Sequence, residues 1–155
     1  MADYRRQRLR IANATLLMEL DQRFDSKEMT EARNLFIEMR ESDERGYLWT
    51  PSLLNEEEKM AKMADEWTKQ LSELREKQKD KYSLLLSLGG FFETVGMMVK
   101  RKYISKDDAL GLFSGPVIAF GRNFSEHIAA RQNEAGVPPG LFEHALYLYQ
   151  LAIGT

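Results

Sequence analysis

Two apolar seams, each advancing by alternating steps of three and four residues, constrain this chain more than any other feature. Met60, Ala64, Trp67, Leu71 and Leu74 make the first; Leu85, Leu88, Phe92, Val95 and Val99 make the second. That spacing keeps one side of a helix apolar turn after turn, whereas a strand has to alternate sides. Between the seams, residues 76–81 carry no apolar side chain, which predicts a polar turn within 76–82, near Asp80. Two seamed helices joined by a short polar link make an antiparallel hairpin. The expected core centres on Trp67, Leu71, Leu85, Leu88, Phe92 and Phe124.

The rest of the chain reads as helix too. Leu9, Ala12, Leu16, Leu20 and Phe24 recur at helical spacing and predict a helix from Arg5 to Phe24. Ser26 can cap a second helix, with Met29, Ala32, Phe36 and Met39 on its apolar face and an end near Ser42. A loop is expected over 43–55. Asn55 followed by Glu56, Glu57 and Glu58 puts a capping side chain and three acids at the positive end of the next helix dipole. Lys100, Arg101 and Lys102 close the fourth helix at its negative end. Ser105 with Asp108 is a capping-box variant opening a short helix to Phe113. Gly115-Pro116 is expected to restart the chain into a sixth helix, Val117 to Glu134. Gly136, Pro138 and Pro139 break that one, and a last helix follows to Ile153. No period-two run bounded by turn residues is present, so no sheet is expected. The reading is all-α, one domain over 1–155, with six or seven helices.

Composition narrows the chemistry. Lys plus Arg is 22 and Asp plus Glu is 24, a formal charge of −2, so no nucleic-acid partner is predicted from global charge. With no cysteine, disulfides, Cys-based zinc sites and thiol nucleophiles are excluded. Arg5, Arg6, Arg8 and Arg10 resemble the basic start of a signal peptide, but Asn13, Thr15, Glu19 and Asp21 interrupt the apolar stretch that should follow. The run from Tyr82 to Val99 approaches membrane-span length, yet Ser83, Ser87, Glu93 and Thr94 make it striped rather than continuous. No span is predicted, and a cytoplasmic location is expected.

The segments FFETVGMMVKRKYISKDDALGLFSGPVIAF and ARQNEAGVPPGLFEHALYLYQLA, with LLMELDQRFDSKEMTEARNLF before them, carry a resemblance. Phe91-Phe92-Glu93, the basic helix end at residues 100–102, the Ile104-Ser105-x-Asp107 cap and the aromatic closing helix resemble a family of small all-helical bacterial and phage proteins known only as a domain of unknown function. The resemblance implies an all-helical fold and no established activity. Members of that family often carry an N-terminal membrane segment; this chain is expected to be one without it.

Arg122 and His127 are the one catalytic candidate. Their spacing resembles the Arg-x4–6-His signature of HEPN ribonucleases, in which Arg and His from two protomers act on RNA without a metal. Five residues turn about 140° on a helix, so the two diverge on one chain, and Arg122 is better placed to pair with Glu126 at i+4. Two Glu-His pairs, Glu126-His127 and Glu143-His144, suggest a metal, but adjacent helix positions point about 100° apart. No metal or cofactor site is predicted. Surplus apolar surface is expected at Tyr47, Trp49, Gly90, Phe91, Met97 and Met98, which are the candidate partner-binding residues. The leading expectation is a non-enzymatic protein-interaction module that can form a homodimer, with a host or defence protein as partner if the chain is phage-borne. The HEPN-like ribonuclease or toxin component is the alternative.

Overall fold

The computed structural model describes residues 2–41 and 56–154, and these form six helices with no strand among the described residues. They are α1 (Ala2–Phe24), α2 (Lys27–Glu41), α3 (Glu56–Lys77), α4 (Lys79–Lys100), α5 (Lys106–Gln132) and α6 (Glu143–Ile153). The expected loop at 43–55, with Tyr47 and Trp49, lies outside the described residues. Helices α3 and α4 meet at Gln78, inside the polar stretch that separates the two seams.

The apolar run of α4 is the centre of the bundle. It buries Leu85, Leu88, Phe91, Phe92, Val95 and Val99 and packs against α2, α3, α5 and α6. By length and apolarity α4 could cross a membrane, but half of that window is buried inside the bundle. Aromatic rings link the helices. Phe24 at the end of α1 lies 5.2 Å from Phe91 and 5.3 Å from Phe113, while Phe36 of α2 lies 4.9 Å from Trp67. Offset and edge-on contacts at such distances add to the burial of each ring. All six residues of the expected core are buried.

Phe91 is a correction. It was expected to project toward a partner, but it is 0% exposed, enclosed by Phe24 and Phe113. Phe24, the last residue of α1, and Phe113 of α5 together cover this part of α4.

Residues 106–132 form one rod instead of two helices separated at Gly115-Pro116. Proline removes one helical N–H and costs about 3 kcal/mol in an unrelieved interior. Here Leu112, whose carbonyl loses its donor, is on an exposed side of the rod, where solvent can reach it. The apolar stripe Leu110, Phe113, Val117, Phe120, Phe124 and Ile128 is buried and passes through Pro116 without losing phase. Burial of that stripe against α4 and α3 offsets the missing bond.

Only Leu20 and Phe24 of α1 are buried, with Leu16 and Leu17 packed against the core edge. Leu9 and Ala12, expected on the inward stripe, are exposed. The stripe is longer than the body it packs on.

At the end of α4, Lys102 takes a left-handed conformation (φ 61°) and donates to Val99, while Tyr103 donates to Met98. This double bond pattern ends the helix and aims Ile104 into the core. Ser105 Oγ then accepts from Asp108 N at 3.0 Å, capping α5.

The three α4 glycines have different surroundings. Gly96 lies against the His144 backbone, so that an added methyl would overlap the carbonyl, whereas a methyl added at Gly90 would meet no neighbouring group within 4 Å among the described residues. Gly96→Ala is therefore expected to destabilise by at least about 1–3 kcal/mol. Gly90→Ala should stabilise by up to about 1 kcal/mol, because the helix gains propensity and meets no clash. Urea denaturation of both variants checks this; equal effects would mean that α6 does not sit against Gly96.

Candidate functional site

Two polar clusters join the helices, and each contains one of the chain's two histidines. The first is built on Glu93. Gly96 lets the start of α6 approach α4, which brings the α6 N-terminus over the Glu93 carboxylate. Glu93 Oε2 accepts from His144 N at 2.9 Å and Ala145 N at 2.8 Å, and Oε1 lies 2.6 Å from His144 Nδ1. Helix α6 starts at a left-handed Phe142 (φ 56°) and has no side-chain cap of its own. Glu93 therefore does, from another helix, what a capping residue does locally, with its charge at the positive end of the dipole.

The second cluster lies where α3, α4 and the end of α5 meet. Arg131 Nη1 donates to Tyr82 Oη at 2.7 Å, and Tyr82 Oη lies 2.8 Å from His127 Nε2. Arginine can only donate, so the arrangement that uses every proton has Tyr82 donating to a neutral imidazole protonated on Nδ1. Burial pushes the His127 pKa down, and the cations Arg131 and Arg75 push it further the same way. Beside it, Arg75 of α3 makes a two-pronged bond to Glu134 at 2.7 and 2.9 Å. That bond holds the Glu134 carboxyl below its ordinary range. Arg131 Nε lies 3.4 Å from the same carboxylate.

This geometry separates Arg122 from His127. His127 is 3% exposed and bound to Tyr82, while Arg122 faces solvent. They do not form a joint site. The expected Arg122–Glu126 pairing is also replaced: Glu126 turns toward Asp65 of α3, and burial followed by that second carboxylate raises its pKa. The histidines of the two Glu-His pairs are directed to Tyr82 and Glu93 respectively, and no group of three metal-ligating side chains forms among the described residues. Of the candidate partner residues, Gly90, Met97 and Met98 remain partly exposed.

In the sequence Glu93 stands out as part of a motif and as an interruption of an apolar run, not as a capping group, and Tyr82, Arg75, Arg131 and Glu134 do not stand out as polar partners. The partners that tie them to other helices are 45 to 59 positions away, so no local pattern announces those contacts. The signal available for Glu93 was its isolation: it is the only charged residue between Tyr82 and Val99.

Fold and clusters together define an all-helical bundle whose polar side-chain clusters, part-buried or buried, hold one helix to another. A family model described as Domain of unknown function (DUF4760) matches residues 4–150. The chain belongs to that family. No curated protein and no solved structure matches it.

Glu93→Ala is expected to cost about 2 kcal/mol, since two amides and an imidazole lose a charged acceptor. Glu93→Gln, which keeps one acceptor oxygen, should recover part of that. Hydrogen exchange at His144 and Ala145 reads the cap directly; unchanged protection in Glu93→Ala would refute it.

His127 gives a pH dependence of definite sign. A base whose folded pKa lies below its ordinary value, about 6.5, is protonated first in the unfolded chain. Its contribution is full above pH 6.5 and is lost as pH falls below that. Denaturation between pH 7.5 and 5 should show stability falling in the wild type and a flatter profile in His127→Gln. Identical slopes would mean that His127 is not buried as a neutral group.

Proposed function

We propose that this protein is a non-enzymatic interaction module whose docking element is the projecting half of α1. The observation that supports this reading is the exposure of residues 2–12 within a continuous helix of 23 residues. Tyr4, Leu9 and Ile11 are 60–64% exposed there, and Met18 farther along the same helix is 63% exposed. Tyr4, Ile11 and Met18 recur every seven residues, so they line one side of the helix. Arg8 lies over the Tyr4 ring at 5.3 Å, and Arg5, Arg6 and Arg10 surround the same stretch. Apolar side chains displayed on a helix among arginines suit a protein groove. Gly90, Met97 and Met98 offer a secondary contact face. A second copy of the chain is one candidate partner. The ribonuclease alternative draws no support from the buried His127.

Deleting residues 2–12 should leave the melting temperature within a few degrees of wild type, because no core side chain is lost. A photo-crosslinking residue at Tyr4 or Ile11 should capture a defined adduct in the native host, and one at Glu73 should not. A large fall in melting temperature, or arm positions that capture nothing, would overturn the proposal.

A further inference from the structure

We infer that two copies of this chain pair through their first helices, side by side and antiparallel, with Ile11 at the two-fold axis. The inference rests on the reading of α1 as the docking element and names its partner, a second α1. Helix α1 runs unbroken from Ala2 to Phe24, and only Leu20 and Phe24 of it are buried. Tyr4, Ile11 and Met18 are 60–63% exposed. Leu20 stands about two and a half turns beyond Ile11, so the row of Tyr4, Ile11 and Met18 runs along the side of α1 opposite the body. A second helix can lie along the whole row, with the two bodies on the outer sides of the pair.

A row that repeats every seven residues is the pattern by which two helices stay in contact along their length. The charges of α1 choose the partner and its direction. Residues 2–12 carry four arginines and one aspartate. Residues 13–24 carry Glu19 and Asp21, both exposed, and one arginine, Arg23, which lies over the Phe91 ring of the body at 5.8 Å. The first half of α1 is therefore basic and the outer side of its second half is acidic. An antiparallel copy sets basic half against acidic half, whereas a parallel copy sets like against like. With Ile11 on the axis, Tyr4 faces the partner's Met18, and Arg8 faces the partner's Ala14, so bulky side chains meet flexible or small ones. Arg5 and Glu19 lie on the same flank of the row, and the two-fold axis brings that flank against its own copy, with Arg5 opposite the partner's Glu19. Three apolar residues a side put this contact at the low end of interface sizes, so the dimer depends on concentration.

The chain has no cysteine, so a single introduced cysteine can form only a disulfide between copies. Sedimentation of the full chain over a concentration series is expected to show a monomer–dimer equilibrium. On mild oxidation Ile11→Cys should give a disulfide dimer, because its two copies meet at the axis within bridging distance. Leu9→Cys, as exposed as Ile11 but on the other side of the helix, should stay monomeric. Tyr4→Cys alone should also stay monomeric, since its two copies lie about 21 Å apart along the helices; mixed with Met18→Cys it should give the mixed dimer. Arg5→Glu and Glu19→Arg should each weaken the dimer several-fold, and the two together in one chain should restore it. All these positions are on the surface, and circular dichroism melts confirm that each variant is folded. Self-linking of Tyr4→Cys, equal linking of Leu9→Cys and Ile11→Cys, or no rescue by the charge exchange would overturn the antiparallel pair. A chain that sediments as a monomer at every concentration would overturn it too. In that case, capture of a different protein from Ile11 would leave the docking reading standing, and capture of nothing would end both.

Discussion

The Glu93 carboxylate closes the bundle. Helix α6 has 11 residues, below the length at which an isolated helix holds together in water, and it begins without a cap of its own. What keeps it in place is a three-part contact: Glu93 accepts its first amides, Gly96 admits its backbone, and Gly121 of α5 admits the Tyr149 ring. With α6 docked, Ala145, Leu148 and Ala152 are buried. Glu93 is thus the single charge in the apolar run of α4, placed where the start of α6 presents amide donors that lack a local cap.

The same logic explains where the other polar groups sit. An apolar helix such as α4 cannot accommodate a polar side chain in mid-bundle without a fixed partner. Tyr82, near its N-terminal end, buries its ring and passes its hydroxyl to His127 and Arg131. Arg75 and Glu134 tie the third helix to the same corner, with both side chains more than a third exposed. That ion pair is screened by solvent and contributes less than its geometry suggests. The buried His127–Tyr82 contact, which lacks such screening, is the firmer link between α4 and α5.

Helix positions were legible because the seams, the Ser26 and Ser105 caps and the acid-rich start of α3 are local signals. What failed locally failed for physical reasons. Gly115-Pro116 looked like a break, but the stripe from Leu110 to Ile128 keeps its phase, and packing overrode the propensity of two residues. Leu9 looked inward-facing because its spacing matches Leu16 and Leu20, and spacing carries no information about where the body ends. Phe91 looked surplus because one face of α4 was already filled; that α1 would supply Phe24 to cover it depends on chain direction after Asp25. Arg122 and His127 illustrate the converse, a correct inference from helix geometry alone that the two side chains diverge.

The body and the arm of α1 differ in what maintains them. From Leu16 to Phe24 the helix is held by packing. From Ala2 to Ala12 it is held by backbone bonds, by residues of good helix propensity and by pairs such as Arg8 with Tyr4. The docked turns remove the nucleation cost that a free peptide of this length faces, so the arm can persist as helix while adding little to the stability of the core. Opening of the arm is therefore a local event with a low free energy, separate from global unfolding. A partner that covers Tyr4 and Ile11 stabilises the arm and leaves the Glu93 and His127 clusters as they are. On the proposed reading, recognition and folding use different residues of the same helix.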